Sequence, residues 1–193
     1  MHKKLNSLIK KLDSDISQKA SIEENHEQIK QWLSETSPKI IGTELYATLP
    51  EKKSALHTNK TLLQEVMVHK GLLQQLGEKA SGLADKDTLA RIKASEKEYE
   101  NLLRSIEDKI ATIESHVTNH ELYDSITEKF QDEVKKKKNS WEEVASDAVD
   151  SKNIEENIKF IQNILSKKDT LDSDLDLCYQ QLNVVLNQTH EKG

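Results

Sequence analysis

The residues whose types could support chemistry are few and lie far apart in the chain. His116 and His120 are one helical turn apart, a spacing that can present two imidazoles to a metal ion. Their segment, HVTNHE, is not an HExxH motif, and a structural zinc site normally has four ligands. We therefore interpret both histidines as polar residues on a helical packing surface, and we predict no metal site and no cofactor.

Cys178 is the only cysteine, so it cannot form a disulfide within the chain, and this fits a reducing compartment such as the cytoplasm. It falls at a heptad position, and no His–Asp arrangement accompanies it. Long helices also do not form the pocket that nucleophilic catalysis needs. The sequence therefore predicts a small buried hydrophobe at Cys178 and a chain that is not an enzyme.

Lys135–Lys138 form the single basic run, and a solvated helix face explains it better than a contact with acidic lipid or actin. The net charge of −6 argues against nucleic acid as a partner, because phosphate binding depends on clustered cations. The sequence contains no apolar run of about twenty residues, the length that a membrane-spanning helix needs. We expect partners to be other proteins.

The composition indicates which elements must position these residues. Of 193 residues, 32% are charged and 4% are aromatic, and there are five glycines and two prolines. These values favour long helices and coiled coils over an α/β enzyme, whose tight turns require more glycine. The predicted fold class is all-α.

The longest predicted helix runs from about Asp87 to Asp147 without proline or glycine. Its apolar residues follow a heptad pattern whose phase shifts after His120, so that a second seam begins at Tyr123. One helix therefore contributes to two bundles. The first seam is Tyr99, Leu103, Ile106, Ile110, Ile113, Val117 and His120, and the second is Tyr123, Ile126, Phe130, Val134, Lys137, Trp141, Val144 and Ala148.

Three further helices are predicted at about 3–35, 51–81 and 154–189, and a short turn at 146–153. The first helix should end at Ser37-Pro38, because the residue before proline avoids the helical region. The loop from Lys39 to Pro50 is unusually apolar. We predict that its apolar side chains either fold back over their own bundle or form a protein-docking patch. They are Ile40, Ile41, Leu45, Tyr46 and Leu49.

Trp32 and Trp141 are 109 residues apart, and each lies about one turn before a predicted helix end. With the phase shift between the two seams, this resembles tandem spectrin repeats, which are three-helix antiparallel coiled coils joined by a continuous helix. The HTNKTLLQEVMVHKGLLQQLGEKASG segment is similar to the divergent repeats of giant cytoskeletal linkers; the nesprin type is favoured, and the dystrophin and spectraplakin types are the alternatives.

The resemblance implies a division of the chain. Residues 1–14 would be the tail of a preceding helix or the start of the first helix of the repeat. Residues 15–120 would be one repeat, and 121–193 a second repeat without its last helix. The groove left open in that second repeat predicts self-association. The core positions that follow from the seams and the resemblance are Trp32, Trp141, Leu73, Tyr99, Ile106, Ile113 and Phe130.

The implied function is a non-enzymatic rod segment that sets distance and transmits force in the cytoskeleton. The alternative is a docking module for an actin-regulatory or membrane-associated protein, which would bind the 39–50 loop or the groove of the second repeat. The expected location is the cytoplasm, including the cytoplasmic face of the nuclear envelope if the parent protein is anchored there.

Overall fold

A computed structural model describes residues 2–40, 45–83, 85–147, 154–166 and 168–190. These ranges contain helices and no strand: α1 (His2–Ile40), α2 (Leu49–Gly82), α3 (Lys86–Asp147), α4 (Ile154–Ser166) and α5 (Lys168–Leu186). The all-α prediction is confirmed. The chain divides into two compact units. Unit 1 comprises Met1–Glu44 and Ser54–Ile113, and unit 2 comprises Leu45–Lys53 and Glu114–Gly193.

Helix α3 is continuous from Lys86 to Asp147, one residue longer than predicted at its start. Asp85 caps it: the Thr88 backbone N–H donates to Asp85 Oδ1 at 3.1 Å, and the Thr88 hydroxyl donates to Oδ2 at 3.0 Å. Lys19 Nζ lies 2.7 Å from the same carboxylate. The Lys19 ammonium and the Thr88 N–H together lower the pKa of Asp85 to about 2.

The prediction that the first helix ends at Ser37-Pro38 is wrong, because α1 continues through Pro38 to Ile40. Thr36 and Ile40 are buried, and Lys109 Nζ donates to the Ile40 carbonyl at 3.4 Å. A proline inside a helix costs about 3 kcal/mol, and burial of a large aliphatic side chain returns roughly 1.5 to 3 kcal/mol. The core contact and the capped carbonyl therefore keep the last turn helical.

Helix α2 begins two residues earlier than predicted because the sequence TLPE forms a capping box. The Glu51 carboxylate accepts hydrogen bonds from the backbone N–H groups of Ala47 and Thr48, both at 3.0 Å. In return, the Glu51 N–H donates to the Thr48 hydroxyl at 3.4 Å. This reciprocal pair fixes Thr48 as the residue that precedes the helix.

Unit 1 is a three-helix core built by α1, α2 and α3. Tyr99 donates its hydroxyl to the Val66 carbonyl at 2.9 Å, and Ile92 lies beside Gly77, so α2 and α3 run antiparallel. Helices α1 and α3 run parallel, because His26 pairs with Ser95 and Ile40 pairs with Lys109. The buried apolar residues that form this core cluster are Ile22, Ile29, Leu33, Ile40, Val66, Leu73, Leu76, Ala80, Ile92, Tyr99, Leu102, Ile106 and Ile110.

Unit 2 pairs the second half of α3 with α5 in an antiparallel arrangement, since Asn119 bonds to Gln188 whereas Phe130, farther along α3, lines a groove with Leu175. The Gln181 side chain donates to the Asn119 carbonyl at 3.0 Å, and the Asn119 amide donates to Gln188 at 3.2 Å. Cys178 and Val185 are the buried residues of α5. The single helix predicted from Ile154 to Thr189 corresponds to α4 and α5. The turn predicted at 146–153 lies largely outside the described residues, which stop at Asp147 and resume at Ile154.

The first five turns of α1 bury no residue, since Ile22 is the first buried position in the described helix. The repeat boundaries drawn from the sequence, at 1–14, 15–120 and 121–193, stay a prediction.

Candidate functional site

The amino group of Lys52 is the least expected feature of unit 2. Its side chain, on the first turn of α2, is 0% exposed. Lys52 Nζ lies 3.3 Å from His120 Nδ1 and donates to the Thr189 hydroxyl at 3.0 Å. The Thr189 hydroxyl in turn donates to the Val185 carbonyl at 2.6 Å. We call Lys52, His120 and Thr189 the lysine cluster.

The electrostatics of the lysine cluster follow from burial. Desolvation lowers the pKa of Lys52, since a charged ammonium loses its water. Burial also lowers the pKa of His116 and His120, and the nearby Lys52 charge lowers both further. Both histidines are therefore held toward their neutral form, in which His120 Nδ1 can accept a hydrogen bond from Lys52.

Lys52 is not among the core positions predicted from the sequence, although the heptad pattern of α2 includes it. In α2, stepping back from Leu63 by four, three and four residues gives Asn59, Leu56 and Lys52. Both Lys52 and Asn59 are buried. Polar residues at heptad core positions are the signal that would have found them.

The two tryptophans have different environments. Trp32 is half-buried, packs against the unit 1 core, and stacks on the His69 ring with centroids 3.7 Å apart and planes 7° from parallel. Trp141 is 48% exposed, so the prediction that it is a core residue is wrong. Lys138 and Val134, one and two turns before Trp141 on α3, are exposed as well, and no described helix covers that face.

The remaining predicted core positions divide between the two units. Leu73, Tyr99, Ile106 and Ile113 are all buried. Phe130 is half-buried and lines a groove in unit 2.

The predicted apolar loop is shorter and less exposed than expected. Ile40 belongs to helix α1 and to the unit 1 core, so its assignment to a loop and to a docking patch is wrong. Tyr46 and Leu49 are half-buried, and Leu49 begins α2. Leu45 is 40% exposed, while Ile41 lies outside the described residues. Among the described residues of this segment, Leu45 is thus the one member of the predicted docking patch whose side chain is exposed.

The groove in unit 2 has a volume of about 230 Å³. It lies between α3 and α5 and is lined by Tyr123, Thr127, Phe130, Gln131, Leu175, Cys178, Tyr179 and Leu182. The Thr127 hydroxyl is buried and has no hydrogen-bond partner within the described part of the chain. Apolar side chains that remain exposed continue from this groove along α3 and α5; they include Val134, Trp141, Leu175, Tyr179 and Leu186.

The cysteine and the lysine run considered above are a buried groove residue and a solvent-exposed helix face, respectively. Cys178 is a free, buried thiol that lines the unit 2 groove. Lys135, Lys136 and Lys138 are exposed, and Lys136 and Lys138 pair with Glu133 and Glu142 on the same helix. Among the described residues, no group of three or more His, Cys, Asp or Glu side chains is arranged to hold a metal ion. No helix in the described ranges is both long and apolar enough to cross a membrane.

The chain is similar over nearly its whole length to a giant muscle protein. It is 37% identical, over 190 residues, to Muscle-specific protein 300 kDa of Drosophila melanogaster. The match covers 97% of this chain and 2% of that protein, so the chain spans a small fraction of its relative. No protein-family model and no solved structure matches the sequence. The similarity to a giant muscle protein and the helical fold are consistent with a structural protein.

Proposed function

We propose that this chain is a non-enzymatic rod segment of a giant cytoskeletal linker and that its two units are spectrin-like repeats. The observation that carries the proposal is α3, a single helix of 62 residues that contributes to the cores of both units. A helix shared by two bundles transmits load through backbone hydrogen bonds rather than through a flexible linker. Similarity to a giant muscle protein supports the same role.

The internal design of unit 1 suits a load-bearing bundle. Three helices share one apolar core, and polar pairs such as His26–Ser95, at 2.9 Å, lie inside it. Buried polar pairs are lost when helices slide past each other, so they resist shear as well as unfolding. Nothing in this arrangement requires a substrate or a cofactor.

Force spectroscopy tests the proposal directly. The chain, held by its two termini, should unfold and refold in discrete steps, because each cooperative unit opens as a whole. Thr118→Pro, which interrupts α3 near the unit boundary, should lower the force of the first step, whereas Thr118→Ala should not. Smooth extension of the wild-type chain without steps would contradict a load-bearing role.

A second candidate function is protein docking, and the exposed apolar face of unit 2 favours it. The 39–50 loop is a weaker docking surface, because Ile40 is in the core. Binding of a cytoskeletal partner should be lost in Trp141→Ser with Leu175→Ser and kept in Leu45→Ser. The opposite pattern would move the docking site to the loop.

A further inference from the structure

We infer that the outward side of α2 between Lys60 and Glu78 packs against the same surface of a second copy of this chain, as an antiparallel pair with twofold symmetry. We call this surface the α2 outer face. It lies within unit 1, opposite the side of α2 that contacts α1 through His69 and α3 through Val66. The inference goes beyond the proposed linker role and does not depend on it.

The α2 outer face concentrates the exposed apolar side chains of unit 1. Among the described residues of unit 1 from Ile22 onward, large apolar side chains are exposed at three positions, and all three lie on α2. Met67, Val68 and Leu72 are 51%, 68% and 45% exposed. With 3.6 residues per turn, they share the outward side of the helix. Single exposed leucines are ordinary, but three such side chains within six residues indicate a packing surface.

Gly71 lies in the middle of these three residues. A Cβ atom at Gly71 would meet nothing within 4 Å, so contacts within one copy do not require glycine there. Gly77 differs, because a Cβ atom there would lie 3.4 Å from the Glu96 carboxylate and 3.9 Å from Ile92. Glycine weakens a helix interior relative to alanine. Close approach of a second helix backbone would account for its presence at Gly71.

Charge selects a second copy in an antiparallel orientation. Lys60 and Glu78 are both exposed and are 18 residues apart, which is five full helical turns, so they lie on the same side of α2. In an antiparallel pair related by a twofold axis, residues on the same side of the two helices face each other. An axis level with residue 69 therefore places Lys60 of each copy opposite Glu78 of the other and forms two ion pairs.

The same axis also matches the uncharged residues. Gln64 and Gln75 are 11 residues apart, which is close to three full turns, so their amides meet across the pair. Met67 lies opposite Gly71 of the other copy, where the absent side chain leaves room. Val68 lies beside the axis and contacts its own counterpart. One register thus satisfies charges, amides and apolar groups, as a self-complementary twofold interface requires. A partner of different sequence would not require this symmetry.

Disulfide trapping of the full chain tests the register. At an interaxial distance of about 8 Å, the two Val68 Cα atoms lie about 5.5 Å apart, within the range of a disulfide. Thr61 lies on the same face, but its two copies are about 24 Å apart. Val68→Cys should therefore cross-link about tenfold or more faster than Thr61→Cys in a glutathione redox buffer. The native Cys178 is buried and is present in both variants.

Gly71→Gln separates association from folding. Within one copy, the new side chain enters open space, and glutamine is a better helix former than glycine, so this variant should have a higher Tm. Across the pair, the new side chain takes the place of Met67 of the other copy and forces the helices apart. Added to Val68→Cys, it should lower the cross-linking rate to that of Thr61→Cys.

Charge reversal tests the ion pairs. Lys60→Glu or Glu78→Lys places like charges at both contacts and should slow cross-linking of Val68→Cys about fivefold or more at low salt. The two reversals together restore opposite charges and should restore the rate. Lys93→Glu is the matched control, because Lys93 is exposed on α3 in unit 1 and its reversal changes the net charge as Lys60→Glu does. It should leave the rate unchanged.

Equal cross-linking rates of Val68→Cys and Thr61→Cys would overturn the inference, because random collision would then explain both. A Gly71→Gln variant that cross-links as fast as Val68→Cys alone would overturn it too, since the two backbones would then not meet at Gly71. Failure of the double charge reversal to restore the rate would reject the antiparallel register.

Discussion

The Lys52 amino group lies 3.3 Å from His120 Nδ1 and 3.0 Å from the Thr189 hydroxyl, so neutral groups hold a fully buried amine. Ion pairs are the usual solution for a buried charge, because they offset the loss of water. In the lysine cluster, a hydroxyl and an imidazole take the place of a carboxylate, and burial lowers the pKa of Lys52 and of His120.

Replacing Lys52 with Met should stabilise unit 2 by about 1 kcal/mol or more at neutral pH. Methionine keeps the apolar part of the side chain and removes the cost of burying an amine. Thr189 keeps its bond to the Val185 carbonyl, so its hydroxyl stays satisfied. Urea unfolding followed by circular dichroism measures the change.

Lys53→Met is the control for that experiment. Lys53 is exposed and pairs with Glu121 at 2.7 Å, and such surface pairs contribute at most about 1 kcal/mol. A loss of stability in Lys52→Met that exceeds the loss in Lys53→Met would show that the buried amine is net stabilising.

The chain should lose stability as the pH falls below about 7. His26, His116 and His120 have pKa values below the ordinary 6.5 in the folded state. The unfolded chain therefore takes up protons first, and stability falls with pH from near 6.5 down through the folded-state values. Urea midpoints between pH 5 and 8 measure this slope.

The same titration of Lys52→Met distinguishes the histidines of unit 2 from His26 of unit 1. Removal of the Lys52 charge raises the pKa of His116 and His120 toward 6.5, so the slope becomes shallower. His26 is unaffected, because burial and Arg91 lower its pKa. An unchanged slope in Lys52→Met, together with a flat profile in His26→Gln, would assign the acid sensitivity to His26 alone.

The two tryptophans should respond differently to alanine. Trp32→Ala removes a ring that packs on the unit 1 core and on His69, so it should cost about 3 kcal/mol, the lower end for large aromatics. Trp141→Ala should change stability by less than about 0.5 kcal/mol, as expected for an exposed position. Equal shifts in Tm for the two variants would contradict the different burial.

Thr118→Pro should uncouple the units. Thr118 is exposed, so the change acts on the backbone by removing a helical hydrogen bond, at a cost of about 3 kcal/mol. Two urea transitions should then replace a single one. Thr118→Ala keeps the backbone bond and should retain the wild-type profile. A single transition in both variants would mean that α3 does not couple the units.

The helix bounds were predicted well where local sequence alone determines them. Helix α3 has no proline or glycine over 62 residues, and its start differs from the prediction by one residue. The predicted end of the first helix at Pro38 is wrong because two effects compete there: local propensity favours a helix end, and burial of Ile40 favours a further turn. The burial of Ile40 and the capping of its carbonyl by Lys109 depend on contacts far along the chain, which local rules do not include.

Burial in unit 2 was harder to predict for a related reason. A heptad pattern indicates which residues face a partner helix, but it does not indicate whether that partner is present. Trp141 has seam spacing and is nevertheless exposed. Lys52 shows the converse, since a residue type that is almost never buried occupies a seam position and is fully enclosed.

The lysine cluster also restricts how unit 2 can misfold. A helix pair with a purely apolar seam tolerates a shift of one helix along the other, because after the shift each apolar side chain contacts another apolar side chain. A slide of α5 by one turn, about 5.4 Å, would carry the Thr189 hydroxyl out of reach of Lys52 and leave a buried amine without its oxygen. The cluster therefore discriminates against near-native alignments whose apolar contacts would be almost as good. Lys52→Met should consequently yield a more stable unit 2 that populates more than one alignment, with duplicated NMR signals along α5.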